Sequence, residues 1–310
     1  MTTLDSLKQY THLVADTGNL GEIRQWIPEE ATTNPTLVLK AFQSEGANEL
    51  IQDATILCGK EAPVQQISMA CSVVLAERIL EIIPGRISVE IDAHLSFDTD
   101  ATVLAAQQIV QWAQQRGINK RRILIKIAST WEGIQAARIL ESQSIACNCT
   151  LIFHAIQALA CAQANVTLIS PFVGRIYDWY KGRGLWHEGE EDPGVTSVTH
   201  IFNLLKSQGY TTEVMGASFR NIDEILALSG CDRLTIAPKF LQQLQTKNDP
   251  VSRRLVPPSR VKRTAEVTEK EFRWQMNQDT MATEKLAEGI RLFAKDGETL
   301  CARISESYPR

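Results

Sequence analysis

Short apolar runs alternate with amphipathic segments along most of this chain. The runs are five to eight residues long and rich in Val, Ile and Leu, as in strands that are buried in a parallel sheet. In the segments between them, apolar residues recur at the spacing of one helix face, and glycine, proline or polar residues mark the boundaries. The predicted strands span 13–17, 29–35, 85–92, 122–128, 146–153, 166–173, 212–218 and 233–238.

A helix is predicted after each strand, with extra helices after the second strand. The predicted helices cover 19–27, a segment that begins at Pro35, 45–59, 65–83, 99–116, 131–142, 154–164, a segment that begins at 174, 195–208, 219–229, 239–247 and 279–304. The stretches 182–194 and 251–263 have the glycine, proline and charge content of exposed connections. Eight strands separated by helices indicate the α/β class, as a (β/α)8 barrel of the TIM type with extra helices and a long C-terminal helix. We expect one domain over 1–310. A doubly wound open sheet is the alternative, but no GxGxxG motif follows a strand.

Polar side chains collect where the active end of such a barrel should lie, at the carboxyl ends of the strands. Residues two apart on a strand share a face, so apolar and polar faces can be separated. On the third strand Ser88, Glu90 and Asp92 share one face, opposite Ile87, Val89 and Ile91. On the fifth strand Asn148, Thr150 and Ile152 share one face, opposite Cys147, Cys149 and Leu151. Asp16, Asn34, Ser170 and Ser218 also fall at or near strand ends. Any one of them could be a helix cap or a turn residue, but together they indicate a polar site.

Lys126 lies within the apolar run ILIKIA of the fourth predicted strand. Burial disfavours its ammonium and lowers the pKa of a lysine, which favours the neutral amine that attacks carbonyl groups. A buried lysine is therefore a candidate for Schiff-base chemistry. The alternative is a lysine near the strand end that extends its ammonium to water.

Two arginines begin predicted helices, Arg175 after the sixth strand and Arg220 after the seventh. Cations are disfavoured at helix N-termini unless an anion is bound there. The arginine fork matches phosphate oxygens, and Ser218 could add a hydroxyl donor. A phosphate clamp on two neighbouring barrel loops is the preferred interpretation, with two surface arginines as the alternative.

Composition limits the possible functions. The chain has 310 residues, a formal net charge of -4 and 44% hydrophobic residues, which argues against a role on nucleic acids or membrane surfaces. No apolar run approaches the ~20 residues of a transmembrane helix, and the N-terminus has no signal-peptide pattern. The seven cysteines form neither a CxxC pair nor a Cys/His cluster. We therefore expect reduced thiols in a cytoplasmic protein, without a disulfide framework or zinc site.

Ten stretches, taken in order, resemble the transaldolases of the pentose phosphate pathway. They are YTHLVADTGN, ATTNPTLVLKA, PGRISVEIDA, RILIKIASTWEGI, CNCTLIF, LISPFVGRIYDWY, EDPGV, VMGASFRN, CDRLTIAP and KLAEGIRLFA. The resemblance covers nearly the whole chain. It implies a class I aldolase mechanism on a (β/α)8 barrel, with sugar-phosphate substrates and no metal or organic cofactor. It also implies a homodimer.

The same resemblance assigns roles to residues. Lys126 would form the Schiff base with a ketose phosphate, and Asp16 would exchange a proton with the C4 hydroxyl. Glu90 and Thr150 would hold a catalytic water. The substrate contacts would be Asn34, Asn148, Ser170, Phe172, Arg175, Ser218 and Arg220. Phe272, Trp274 and Phe293, which we assign to the final helix, would help to shield the intermediate from water, or would simply pack in the core.

The chain departs from the family pattern after the fifth strand, where the usual serine is replaced by His154. Histidine is a poorer helix cap than serine, and His154 lies four residues beyond Thr150. We expect a structural or tolerated histidine. If it enters the pocket instead, it could alter proton transfer or substrate preference.

The resemblance implies a transaldolase that transfers a dihydroxyacetone unit from sedoheptulose 7-phosphate to glyceraldehyde 3-phosphate. Two alternatives stay open: an aldolase that releases free dihydroxyacetone, and a catalytically silent barrel that binds sugar phosphates. The complete set Asp16, Asn34, Glu90, Lys126 and Thr150 argues against the silent barrel.

Overall fold

The computed structural model describes residues 1–43 and 46–307. Within them, eight parallel strands pair in sequence order and close into a barrel, because the first strand also pairs with the last. The strands are β1 (His12–Asp16), β2 (Glu30–Thr32), β3 (Ile87–Glu90), β4 (Ile123–Ala128), β5 (Cys147–Ile152), β6 (Leu168–Pro171), β7 (Glu213–Gly216) and β8 (Arg233–Ile236). The predicted α/β barrel is confirmed, and each observed strand lies within one residue of its predicted range or inside it.

Helices follow every strand and account for most of the remaining described residues. They are α1 (Thr3–Leu7), α2 (Leu20–Trp26), α3 (Pro35–Ala41), α4 (Ala47–Cys58), α5 (Val64–Leu80), α6 (Thr99–Gln115), α7 (Trp131–Ser142), α8 (Ala155–Gln163), α9 (Gly174–Gly182), α10 (Pro193–Ser207), α11 (Ile222–Ala227), α12 (Pro238–Thr246), α13 (Glu269–Gln278) and α14 (Thr280–Ser307). Short 3-10 helices span Ala93–Leu95 and Lys120–Arg122. The predicted helix over 45–59 is observed from 47, and its first residue lies outside the described part of the chain. The predicted connection 251–263 contains neither helix nor strand.

Helix boundaries follow local chemistry. Pro35 occupies the first position of α3, where its missing N–H costs nothing, and the Asn34 side chain caps the helix by accepting from the amide of Leu37 at 3.0 Å. The helix α1 was not predicted, although Thr2 and Asp5 form a reciprocal capping box at its start. A polar five-residue helix has too few apolar positions to show a helical period.

The barrel interior is layered along its axis. Four charged residues at the amino ends of the strands (Glu30, Arg86, Glu213 and Arg233) form a ring, in which each arginine contacts both glutamates at 2.6–3.1 Å. Above the ring, apolar side chains from four strands pack together: Val14, Leu124, Leu168 and Met215. The ring and this layer fill the lower end of the barrel interior, where the strands begin. Polar side chains can therefore line a cavity only at the upper end, where the strands end.

The end of β5 corrects one prediction. The regular alternation of faces ends after Thr150, because Leu151 has a left-handed backbone with φ of 56° and the pairing register with β6 shifts between Cys149 and Ile152. The opposite-face assignment of Leu151 and Ile152 was therefore wrong, since it assumed an unbroken strand.

The 28-residue helix α14 confirms the predicted long C-terminal helix and crosses the carboxyl end of the barrel. Its Asp296 accepts a hydrogen bond from Thr36 on α3, and its Glu298 contacts His94 at 3.2 Å. The preceding helix α13 is separate from it, which corrects the prediction that Phe272 and Trp274 belong to the final helix. Among the described residues, no helix has both the length and the apolar character needed to cross a membrane.

Candidate active site

A cavity of about 240 Å³ opens at the carboxyl end of the barrel. Nine of the eleven predicted site residues line it: Asp16, Asn34, Lys126, Thr150, Ser170, Phe172, Arg175, Ser218 and Arg220. The other two, Glu90 and Asn148, lie directly behind this lining and contact Lys126 and Ser170.

The strand period explains why these side chains meet. Leu124 belongs to the apolar layer, and Lys126 lies two residues farther along the same face of β4. Val14 and Leu168 precede Asp16 and Ser170 in the same way on β1 and β6. Each of these three strands therefore contributes a core residue first and a polar residue second, at the height where the barrel opens, whereas on β7 Met215 is followed by Ala217.

Lys126 is buried, with 7% of its side chain exposed, so it does not extend its ammonium to water. Its Nζ lies 2.9 Å from Oε2 of Glu90 and donates to the carbonyl of Thr33 at 3.0 Å. Glu90 and Lys126 are paired partners in the register of β3 and β4, which places their side chains side by side. Both charges are thus withdrawn from water and compensated mainly by each other.

Two carboxyl groups near Lys126 hold their protons more tightly than usual. Burial raises the pKa of Glu90, against the opposing effect of Lys126. Burial also raises the pKa of Asp16, although Lys126 and a hydrogen bond from Thr32 act in the opposite direction. A raised pKa is common among carboxyl groups that transfer protons in catalysis.

Amide and hydroxyl groups line the neighbouring wall. Asn148 is fully buried; its Nδ2 donates to Ser88 at 3.0 Å and its Oδ1 accepts from Ser170 at 2.6 Å. Asn34 uses its oxygen to cap α3, so its amide nitrogen remains as the donor at the cavity.

The Thr150 hydroxyl is buried and has no hydrogen-bond partner among the described residues. It lines the cavity at the last regular position of β5. A buried hydroxyl without a partner is costly, which is typical of a group that binds a ligand or water.

Arg175 is the cation at the upper wall of the cavity. Its guanidinium lies 4.9 Å from the ring centre of Phe172 and 5.4 Å from that of Phe293. Its buried Nη1 has no hydrogen-bond partner in the described chain. Burial lowers the pKa of this arginine, and repulsion from Arg220 lowers it further. An anion between the two arginines would relieve that repulsion.

Arg220 lines the same cavity and is held by two hydrogen bonds. Its Nε donates to Oδ2 of Asp178 at 2.9 Å, and its backbone amide donates to Glu224 at 2.7 Å. Ser218, with a left-handed φ of 65°, accepts from the amide of Gly174 at 2.6 Å. A side chain at Gly174 would begin 2.4 Å from that carbonyl, so only glycine lets these two loops approach. The predicted Arg175, Ser218 and Arg220 therefore do lie together.

His154 does not line this cavity. Its Nδ1 accepts from the amide of Ile156 at 3.0 Å, and Gln157 completes a capping box at the start of α8. Because Nδ1 accepts, Nε2 carries the proton of the neutral ring, and it lies 4.0 Å from Asp279 on the outer surface. Burial lowers the pKa of His154. The expectation of a structural histidine is confirmed, and the ring of His154 caps α8 although histidine is on average a poorer cap than serine.

Sequence reasoning missed several residues that line the cavity: Thr32, Met215, Ala217, Phe219, Thr235, Ala237, Lys239 and Phe240. Thr32 and Thr235 could have been found, because each has inward parity near the end of a predicted strand, and their hydroxyls lie 2.9 Å apart. Lys239 and Phe240 lie on α12, a helix outside the strands, so strand parity could not have identified them. Of the three C-terminal aromatic residues, Phe293 lines the cavity, Phe272 packs on Trp131 and Trp274 is exposed.

One amine, two carboxyl groups and two arginines lie in or directly beside this cavity. These are the groups that carbonyl chemistry on a phosphorylated substrate requires. In the described part of the chain, no group of three or more His, Cys, Asp and Glu side chains could hold a metal ion.

Comparison with known proteins agrees with this geometry. Residues 13–304 match the family model described as Transaldolase/Fructose-6-phosphate aldolase. Transaldolase A of Escherichia coli (strain K12) is 53% identical over 309 residues, which cover 97% of this chain and 98% of that protein. Transaldolase 2 of Shigella sonnei (strain Ss046) is also 53% identical over the same shares. Transaldolase A of Salmonella typhimurium (strain LT2) is 51% identical over 308 residues, again 97% of this chain and 98% of that protein. The predicted resemblance is thus confirmed, and the chain belongs to the transaldolase/fructose-6-phosphate aldolase family.

Proposed function

We propose that this protein transfers a dihydroxyacetone unit reversibly from sedoheptulose 7-phosphate to glyceraldehyde 3-phosphate, giving erythrose 4-phosphate and fructose 6-phosphate. Membership of the family makes the chain an enzyme and a transferase. One observation carries the mechanism: the ammonium of Lys126 is buried beside the cavity and paired with Glu90 at 2.9 Å. Such a pair can exchange one proton and leave a neutral amine and a neutral acid.

Schiff-base formation starts from that proton exchange. The Lys126 amine attacks the C2 carbonyl carbon of the ketose and forms a carbinolamine. Glu90, whose pKa is raised by burial, then gives its proton to the carbinolamine hydroxyl, which leaves as water. The Thr150 hydroxyl, which faces the cavity without a protein partner, holds that water. The product is an iminium ion, and Glu90 is again a carboxylate.

Carbon–carbon cleavage uses Asp16 as the base. The Asp16 carboxylate takes the proton of the C4 hydroxyl, and the aldose phosphate leaves as the C3–C4 bond breaks. The electron pair of that bond enters the iminium group and gives an enamine on Lys126. In the second half-reaction C3 of the enamine attacks the acceptor aldehyde, and Asp16 returns its proton to the new hydroxyl. Hydrolysis of the iminium ion then frees Lys126.

Binding groups fix the two ends of the substrate. Asn34, Asn148 and Ser170 hold the hydroxyls of the dihydroxyacetone unit: Asn34 and Ser170 line the cavity, and Asn148 lies directly behind them, hydrogen-bonded to Ser170. Arg175, Ser218 and Arg220 hold the phosphate at the opening, where two cations repel each other. Phe172 and Phe293 cover Arg175 and limit the access of water, which favours transfer over release of the intermediate.

Borohydride reduction in the presence of fructose 6-phosphate tests the mechanism. Mass spectrometry of peptides should find a reduced three-carbon adduct on Lys126, and Lys126→Ala should abolish both adduct and turnover. Lys181→Ala, at an exposed lysine of α9, is the matched control and should behave like the wild type. An adduct on another lysine, or none, contradicts the mechanism.

Acceptor dependence separates transfer from simple aldol cleavage. With fructose 6-phosphate alone a transaldolase should stop after one turnover, whereas an aldolase should continue to release dihydroxyacetone. Addition of erythrose 4-phosphate should restore turnover and produce sedoheptulose 7-phosphate.

We also propose a homodimer, as the family resemblance implies, and a location in the cytoplasm. The seven cysteines are free thiols, which suits a reducing compartment. Sedimentation equilibrium tests the oligomeric state, and imaging of a tagged protein tests the location.

A further inference from the structure

The buried side chain of Gln157 on α8 connects the ends of β4 and β5. Its Nε2 donates to the carbonyl of Ser129, just after β4, at 2.9 Å and to the carbonyl of Leu151 at 3.1 Å. Its Oε1 accepts from the amides of Phe153 at 2.9 Å and of His154 at 3.1 Å. Both donor hydrogens and both acceptor positions are therefore used, all of them on backbone groups.

These bonds compensate for the irregular end of β5. At Leu151 the backbone turns left-handed and the register with β6 shifts, so the ladder does not satisfy these carbonyl and amide groups. The same bulge ends the regular strand at Thr150, whose unpartnered hydroxyl faces the cavity. Ser129 adds a second link, because its hydroxyl and its amide both donate to the carbonyl of Thr150, at 2.8 and 2.9 Å.

We propose that Gln157, together with Ser129, is a positioning residue that holds the Thr150 hydroxyl at the water formed in Schiff-base chemistry. The inference rests on the function proposed above. Gln157 touches no reacting atom; it fixes the bulge and ties it to the strand that carries Lys126. Only an amide can do this, since one end must accept from two N–H groups and the other must donate to two carbonyl groups. A glutamate of the same size would place an acceptor against the carbonyls of Ser129 and Leu151.

Gln157→Glu, Thr150→Ala and the double variant form the test. The measured quantity is the single-turnover rate of formation of the borohydride-trapped adduct with fructose 6-phosphate. Gln157→Glu should slow this rate on the order of ten- to a hundredfold, while inhibition by inorganic phosphate stays within about twofold. In the Thr150→Ala background the same change should add less than about twofold, because the hydroxyl it positions is gone.

Gln163→Glu is the matched control, because Gln163 on the same helix also accepts from and donates to backbone, in contacts with Val267 and Ala265. It should leave the trapping rate unchanged. If Gln157→Glu does not fold, Ser129→Ala tests the same link and should slow trapping at least threefold, again without further effect in the Thr150→Ala background.

Additive effects of Gln157→Glu and Thr150→Ala, equal loss of phosphate inhibition, or a normal trapping rate in Gln157→Glu or Ser129→Ala would overturn the inference. These outcomes require a wild-type adduct on Lys126. Absence of that adduct would instead contradict the proposed function, so the two failures are distinct.

Discussion

Gly289 of α14 lies against Leu151, the residue with left-handed backbone at the end of β5. A methyl group on Gly289 would be 2.7 Å from Cδ2 of Leu151 and 3.1 Å from Nη1 of Arg175. The long helix can therefore reach the barrel mouth only because this position has no side chain. The contact links α14, the bulge beside Thr150 and the proposed phosphate site.

We predict that Gly289→Ala weakens substrate binding. Alanine favours a helix by about 1 kcal/mol over glycine, but overpacking against buried Leu151 costs about 1–3 kcal/mol, so the free energy of unfolding should fall by up to about 2 kcal/mol. Displacement of Arg175 should raise KM for fructose 6-phosphate several-fold. Urea unfolding and steady-state kinetics measure both effects.

Gly297→Ala on the same helix is the control, because among the described residues nothing beyond the adjoining backbone of α14 lies within 4 Å of the added methyl group. It should stabilise the protein by about 0.5–1 kcal/mol and leave KM unchanged. If Gly289→Ala also stabilises the protein and leaves KM unchanged, the contact of Gly289 with Leu151 and Arg175 has no effect on substrate binding.

Glu224 should make stability depend on pH. Burial raises the pKa of its carboxyl to about 7, and the nearby Asp192 carboxylate acts in the same direction against the amide of Arg220. Below pH ~4.5 the folded and unfolded chains both hold the proton, so its contribution is fully present. As pH rises towards 7 the unfolded chain ionises first, and the folded state loses relative stability.

Glu224→Gln should remove the part of the loss of folding stability between pH 5 and pH 8 that comes from this carboxyl group, because the amide stays neutral. Urea unfolding at pH 5 and pH 8 should show a smaller pH difference in the variant than in the wild type. Glu61→Gln, at an exposed position, should keep the wild-type difference. Equal pH differences in wild type and Glu224→Gln would show that Glu224 does not titrate as described.

The sequence predicted those parts of the fold and site that follow from a local period. Eight apolar runs predicted the barrel, parity on the third and fifth strands predicted that Glu90 and Thr150 face inward, and Asp16 and Ser170 were expected at strand ends. In the structure Asp16, Thr150 and Ser170 line one cavity, with Glu90 directly behind it. Arg175 lies in the first turn of α9, as predicted. Arg220 instead lies two residues before α11, because Asn221 caps that helix, so the predicted helix start at 219 was too early.

Features set by contacts between distant segments could not be predicted in this way. The bulge at Leu151 replaces regular pairing with bonds from Gln157, which lies on the next helix. Gly289 has no local signal, because its role depends on what α14 meets after crossing the barrel. His154 caps α8 through a ring nitrogen, which average cap preferences do not favour.

The charged ring at the lower end of the barrel should serve stability alone. In it, Arg86 contacts Glu30 at 2.6 Å and Glu213 at 2.7 Å, and the Glu30 side chain is 8% exposed. Arg86→Met would leave two glutamates with one arginine, at a cost of about 2–4 kcal/mol in the free energy of unfolding. The turnover number should not change, since the apolar layer separates the ring from the cavity.

Arg183→Met is the control for that experiment, because its pair with Glu284 is about half exposed on both sides. Loss of an exposed pair should cost no more than about 1 kcal/mol. Equal decreases in the free energy of unfolding of the two variants would mean that the charged ring contributes no more to stability than an exposed ion pair.

The two arginines of the proposed phosphate site should respond differently to replacement by lysine. Arg175 is partly buried, and its guanidinium lies close to the rings of Phe172 and Phe293. Its buried Nη1 has no partner in the described chain, so the guanidinium is available to bind phosphate. Arg220 already uses part of its fork on Asp178 and is 40% exposed.

Arg175→Lys should therefore lose about 1.5–3 kcal/mol of binding free energy, and the inhibition constant of inorganic phosphate should rise on the order of ten- to a hundredfold. Arg220→Lys should change it only a few-fold, because water screens an exposed charge and a lysine can still contact phosphate there. The adduct on Lys126 should form at saturating fructose 6-phosphate in both variants. Equal effects of the two substitutions would contradict the asymmetry, since both arginines would then contribute the same number of phosphate contacts.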